Sequence, residues 1–420
     1  MLLPLPYNEI LSSPRSSTGF IPPEIVHMIL LHIRKDRYTL SACSLVCQTW
    51  RYIGQSLIFR DFHVTIGLKH SFPDFQNFMA TTPDISKHIQ KFHLHLSQQL
   101  QVEATYYPIR PRSLVNLFER CASLREVYLG GIFRQFALDT VPQCSRPLRK
   151  LVLYDVGSVD ALLVVMQLFP LIEEMHLPQM VSIFSITDAG LHNRILPPTL
   201  PIPAFVLSHS SAVAFLADIA KQGCLLDNIH SLKLPFAIEP RKTTFPHSVP
   251  DRVQLSNLLR HVGRNLRQLE LRFAAEPLIS DGMDVLWKNF DVSSCTSLQI
   301  VKLTPQSRPG VTFATFFQRM GDIPVHSGWE SCVWLLVRLP ETLQSLQFIL
   351  DDVSKMSGQL SDGNWTKLQD TILRFPVLQT VEFMMEDKVN GDSISLNEYE
   401  IPLVYQILPM LKEAGLMRFP

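Results

Sequence analysis

Glycine is scarce in this sequence, at 17 of 420 residues, and it forms neither a G-x-G-x-x-G fingerprint nor a P-loop. Close backbone approach to a phosphate depends on such glycines, so a nucleotide-binding α/β enzyme is not indicated. The G-x-S-x-G, H-E-x-x-H and calcium-loop patterns are missing as well, which removes the motif-bearing hydrolases and metalloproteases. Charge is thin too. Asp, Glu, Lys and Arg make up 18% of the chain, against about a quarter in an average protein. The 38 basic residues balance 38 acidic ones, and without a basic surplus nothing drives binding to a phosphate polymer. With 46% apolar residues the chain is not intrinsically disordered, which would require low hydrophobicity and high net charge.

The seven cysteines (Cys43, Cys47, Cys121, Cys144, Cys224, Cys295 and Cys332) are odd in number and scattered, with no C-x-x-C pair. That pattern gives neither a disulfide framework nor a structural zinc site, and it reads as reduced thiols in a cytoplasmic or nuclear protein. Long hydrophobic runs are also lacking. Pro4 and Pro6 break the first apolar stretch, which has no positive flank, so a signal peptide is not expected. The stretch around Ala161–Met166 is far shorter than the roughly 20 residues a bilayer span requires.

Proline, in contrast, is abundant at 30 residues. After a Ser/Pro-rich lead, Pro22 and Pro23 stand where a helix can begin, since the first turn needs no N–H from them. Glu24 suits the dipole of that turn. Ile25, Met28, Ile29 and His32 follow at helical spacing. Asp36 is positioned to cap a second helix bearing Leu40, Cys43, Val46 and Cys47. A third, from near Gln48, carries Trp50, Ile53 and Leu57. Three short helices in about 40 residues bury too little surface to stand alone without a metal, a disulfide or a partner. The module is therefore expected to complete its core against something else.

Two strings of this segment resemble the F-box motif, in the form abundant in fungi. They are Ile21-Pro22-Pro23-Glu24-Ile25-x-x-x-Ile29 and Leu40-x-x-Cys43-x-Leu45-Val46-Cys47-x-x-Trp50. Ile21 replaces the commoner Leu, and Gln48 stands where Arg or Lys is frequent. The resemblance covers about 45 of the 420 residues. It implies docking on the small adaptor that links to a cullin scaffold. Ile21, Pro22, Pro23, Glu24, Ile25 and Ile29 would then form the docking edge of the first helix. Leu45, Val46, Cys47 and Trp50 would combine internal packing with adaptor contact.

The rest of the chain repeats one phrase, apolar-x-x-apolar-x-apolar. It starts at residues 89, 124, 148, 172, 202, 229, 266, 298, 343 and 378. The intervals run from 24 to 45 residues, longer on average than the roughly 20–29 of regular leucine-rich repeats. Helical stretches lie between phrases, as in Leu114–Phe118, Leu255–Val262 and Trp365–Ile372. Alternating short strands and helices predict an irregular leucine-rich-repeat-like α/β solenoid with a parallel sheet. Phe62-x-Val64-x-Ile66 reads as a strand joining the helices to the array. The prolines around 197–203 and 235–250 mark insertions rather than central strand. The 45-residue interval, containing Gly321, Pro324, Gly328 and Trp329, reads as an excursion at a binding rim.

The expected organisation is a flexible tail over 1–19, an F-box-like helical domain over 20–62 and the solenoid over 63–420. Between the inward positions of the strands lie His93, Tyr128, Tyr154, His176, Lys233, Glu270, Arg272, Lys302, Gln347 and Glu382. This mixture of aromatic and oppositely charged groups suits a protein substrate better than nucleic acid or a membrane. His93 and His95 share a strand face but lack a third ligand, so no metal is expected there. Glu173-Glu174 and Asp351-Asp352 are adjacent pairs whose side chains diverge. No catalytic residue and no cofactor are expected. The sequence reads as a non-catalytic substrate receptor of an adaptor–cullin–F-box ubiquitin ligase. A non-ligase interaction scaffold, using the repeats for protein binding, is the second reading.

Overall fold

A computed structural model describes residues 21–67, 71–96, 109–131, 143–154, 159–179, 200–221, 226–238, 251–273, 276–277, 291–305, 325–326, 328–350, 353, 362–386 and 393–420. The tail expected over 1–19, together with Cys224, Gly321, Pro324, Asp351 and Asp352, lies outside these residues.

The N-terminal module consists of α1 (Pro23–His32), α2 (Arg37–Cys43) and α3 (Gln48–Ile58). Its boundaries follow local chemistry. Pro22 and Pro23 begin α1. The Asp36 carboxylate caps α2 by accepting the Tyr38 and Thr39 N–H groups, both at 3.1 Å. Gly54 allows α3 to press on α2, because a Cβ there would meet the Ser44 side chain at 3.2 Å. The core is very small: Val26, Leu30, Leu40 and Ile53, with Trp50 and Leu57 among its half-buried neighbours.

The helices give way to an α/β array. Its strands are β1 (Asp61–Ile66), β2 (Lys91–Leu96), β3 (Glu126–Gly130), β4 (Leu148–Tyr154) and β5 (Ile172–Gln179). Next come β6 (Ala204–Leu207), β7 (Ser231–Ile238), β8 (Gln268–Phe273), β9 (Glu276–Pro277) and β10 (Ile300–Pro305). The last are β11 (Val325–His326), β12 (Ser345–Leu350), β13 (Thr380–Glu386), β14 (Ser393–Ser395) and β15 (Met417–Arg418). The main sheet has 13 strands, ordered as in the chain from β1 to β14, with β15 beside β13. Every neighbour pair in it is parallel except β13 with β14. β9 and β11 pair separately and antiparallel. Helices alternate with the strands, so the fold is solenoid-like, as the repeated phrase predicts.

The phrase maps directly onto the core. All its apolar positions are buried except Leu124, which is half-buried. Its middle position forms an unbroken cross-strand row: Phe62, Phe92, Val127, Leu151, Met175, Phe205, Leu232, Leu269, Val301, Leu346, Val381 and Met417. Most repeats also open on the same hydrogen-bond pattern. Arg125 and Glu126 both donate to the Gln90 carbonyl, Arg149 and Lys150 to that of Arg125, and Gln379 and Thr380 to that of Gln344. Helices Pro111–Arg120, Asp251–Val262 and Asp362–Leu373 pack buried apolar side chains on this face of the sheet, where the three stretches were expected.

Three expectations are corrected. Val46 and Cys47 are not on the second helix, which ends at Cys43, and Cys47 instead occupies the N-cap position of α3. Pro235 lies inside β7, a central strand, because the pairing with β8 slips between Leu234 and Ala237. A bulge leaves one residue without ladder bonds, so a missing N–H is tolerated there. Gly328 and Trp329 are not on a rim. They open the helix Gly328–Leu336, and Trp329 is 1% exposed between Phe348 and Trp365, at ring distances of 5.1 and 5.0 Å.

Candidate functional site

Two surfaces carry the residues singled out from the sequence. The first is the outside of the helical module. Ile21, Ile25, Ile29, Leu45 and Val46 are all exposed there, and Val46 reaches 64%. Met28, Tyr38 and Tyr52, none of them expected at the docking edge, extend the same apolar exposure. Pro22, Glu24 and Cys47 are exposed, while Pro23 and Trp50 are half-buried. The amphipathic logic is inverted on α1. Val26 and Leu30 face the core, and Ile25 and Ile29, one position earlier on the helix, face outward. Large apolar side chains held in water are unfavourable unless they serve an interaction.

The second surface is the sheet face opposite the helices. His93, Tyr128, Tyr154, His176, Lys233, Glu270, Arg272, Lys302, Gln347 and Glu382 are all half-buried on it. One cross-strand row holds His63, His93, Tyr128, Val152, His176 and Val206, then Lys233, Glu270, Lys302, Gln347, Glu382 and Arg418. Tyr154 stands two residues beyond Val152 on the same face, opposite Gly130.

Lys233, Glu270, Lys302 and Glu382 of this row, and Arg272 beside it, are already paired. Lys233 lies 3.1 Å from Glu174, which also takes His176 at 2.5 Å and has Lys150 at 4.0 Å. The hydrogen bond from His176, followed by that from Lys233, outweighs desolvation and holds the Glu174 carboxyl at about 2. Lys302 faces Glu270 at 3.6 Å, Gln347 donates to Glu382 at 2.8 Å, and Arg272 pairs with Glu386. Glu173 and Glu174 do diverge, with Glu173 exposed on the opposite side of the strand.

The β1–β3 end is different, being aromatic. His63 stacks on His93 at 3.9 Å, and His93 stacks on Tyr128 at 4.0 Å, all three rings nearly parallel. Tyr128 donates to Glu126 at 2.9 Å, and Glu126 in turn holds Lys91 at 2.9 Å. Burial, reinforced by the neighbouring His63, pushes the His93 imidazole down to about 4. His95 takes no part in the stack. It occupies the space above Gly130, where a Cβ would come within 2.4 Å of its ring nitrogen, and its ring lies 6.0 Å from that of Tyr154. The companion of His93 is therefore His63 on the next strand rather than His95 on its own. Phe59-x-x-Phe62-x-Val64 fits the repeated phrase and places His63 in the slot of His93. The signal for this pairing is therefore present in the sequence.

Among the described residues no helix is long and apolar enough to cross a membrane. Cys121, Cys144, Cys295 and Cys332 are buried free thiols, and burial pushes the first three to about 12, so they are inert at neutral pH. Cys47 is free and exposed. Compared with models of protein families and with curated proteins, the chain matches none.

Proposed function

We propose that this chain is the substrate-recognition subunit of an adaptor–cullin–F-box ubiquitin ligase. The helical module docks on the ligase adaptor, and the open face of the repeat array holds a target protein. The observation that carries this reading is the exposure of Ile21, Ile25, Met28, Ile29, Leu45 and Val46 around a core of only four buried side chains. A module so poor in core and so rich in surface hydrophobics is suited to burying that surface against a partner. All of these but Met28 fall at the positions the F-box resemblance assigns to adaptor contact. The chain performs no bond chemistry in this role. It makes ubiquitin transfer effectively intramolecular by holding the target beside the ligase.

The test is binding of the purified full chain to the adaptor. Ile25→Asp and Val46→Asp should each weaken binding by at least about tenfold, a loss of ~1.4 kcal/mol, without lowering thermal stability. A folded wild-type chain that ignores the adaptor overturns the proposal. Co-purification of the cullin from cells separates a ligase subunit from a scaffold that binds the adaptor alone.

A further inference from the structure

Asp61 and His63 stand two residues apart on β1, so their side chains share a face, and His93 lies directly opposite His63 on β2. Asp61 Oδ1 is 3.0 Å from His63 Nε2 and 2.9 Å from His93 Nε2, and the three ligand atoms lie within 4.8 Å of one another. We propose that Asp61, His63 and His93 bind one divalent first-row transition metal of the zinc type, at the end of the open face nearest the helical module.

Four features support the assignment. Asp61 Oδ1 lies about 3 Å from each imidazole nitrogen, as bonds of ~2.0–2.2 Å to a common centre require, and the His63 ring must leave its stack on His93 for both lone pairs to meet there. His93 Nε2 is buried and makes no hydrogen bond, although the carboxylate oxygen is 2.9 Å away. A buried ring nitrogen without a partner is uncommon, and a cation seated beside Asp61 satisfies it. The donor set is two imidazoles and one carboxylate, a combination suited to zinc and its neighbours rather than to magnesium or calcium. The nearby cations contact groups other than the Asp61 carboxylate. Lys91 is held by Glu126, and the Arg37 guanidinium reaches the Asp61 backbone carbonyl at 3.4 Å.

The site is built on strands rather than loops, and the stacked Tyr128 fixes His93 from its far side. His63 and Asp61 are half exposed, with 53% and 51% of their side chains in water. His63 can therefore turn its ring toward a shared ion, while His93 supplies the rigid ligand. Three protein ligands leave coordination open on the solvent side. A water or a donor side chain of a bound protein completes the shell. The ion would tie β1, the strand leaving the helices, to the first repeat.

The experiment uses the full chain, prepared without a histidine tag and stripped of metal. Zn2+ is titrated in competition with a chromogenic chelator, and Co2+ absorption in the visible region reports nitrogen ligation. One Zn2+ per chain is expected. His93→Gln, His63→Gln and Asp61→Asn should each weaken binding by at least about tenfold, and His95→Gln should leave it unchanged. His63→Gln alters a half-exposed side chain, so its effect is readable even if His93→Gln does not fold. Absence of stoichiometric binding by the folded chain overturns the proposal. So does binding that survives His63→Gln and Asp61→Asn, or that falls equally in His95→Gln.

Discussion

Arg272 on β8 closes an ion pair with Glu386 at the end of β13, 114 residues along the chain and with β10 and β12 lying between their strands. Only 24% and 21% of the two side chains are exposed, and Arg272 Nε has no partner of its own. The pair bridges four strands of the open face, so Arg272 is a tie within the array as well as a member of the candidate substrate surface.

Removing one member leaves a mostly buried charge alone, which costs more than losing an exposed pair and less than losing a fully buried one. Arg272→Ala should therefore destabilise the chain by about 1–3 kcal/mol. Arg272→Met combined with Glu386→Gln should recover part of that loss. Denaturant titration of the single and double variants gives the coupling energy directly. Strictly additive effects would mean that the two groups do not interact in solution.

In the helical module, stability and docking are expected to separate by residue. Leu30 is fully buried, and Leu30→Ala should cost about 2–5 kcal/mol. Leu45 is 76% exposed, so Leu45→Asp should leave the melting temperature within a degree or two while removing apolar docking surface. Trp50 is half-buried rather than core, and Trp50→Ala should cost about 1–2 kcal/mol, less than a full aromatic deletion. Circular dichroism melts, run beside adaptor titrations, check all three.

The repeat was legible because one side chain in two along a strand must enter the core, and in a parallel array that requirement recurs at every turn. Phe92, Leu269 and Phe383 could be assigned inward from spacing alone. Asp36 and Pro23 likewise announce helix starts through chemistry confined to neighbouring residues. The companion of His93 was harder, since strand neighbours are set by register and His63 lies 30 residues away in sequence. The ion pairs of Lys233 and Arg272 were not legible for a similar reason. Each passes over at least one intervening strand, and side-chain reach across a sheet has no periodic signature. Pro235 misled because proline argues against a central strand unless a bulge excuses its missing N–H.

Trp329 tests how far the longest interval between phrases belongs to the core. Its ring is enclosed by Phe348 below and Trp365 alongside. Trp329→Ala should cost about 3–5 kcal/mol, whereas a residue on a binding rim would tolerate the change. Denaturant unfolding of the variant decides between these outcomes.

Acid should weaken the array through Glu174. Its carboxyl is held at about 2 when folded, first by the His176 hydrogen bond and then by Lys233, with Lys150 facing it from β4. In the unfolded chain a glutamate titrates near ~4.3. A depressed acid contributes stability that is complete above the unfolded value and is lost as pH falls through the folded one. The contribution of Glu174 should therefore be fully present at pH 7 and disappear between about pH 4.5 and about 2. Glu174→Gln should be less stable than wild type at neutral pH, with the difference shrinking across that window. Comparing the two proteins at each pH cancels the other carboxylates, which titrate in both. A stability difference that stays constant down to pH 3 would show that the amide loses packing or hydrogen bonds rather than charge.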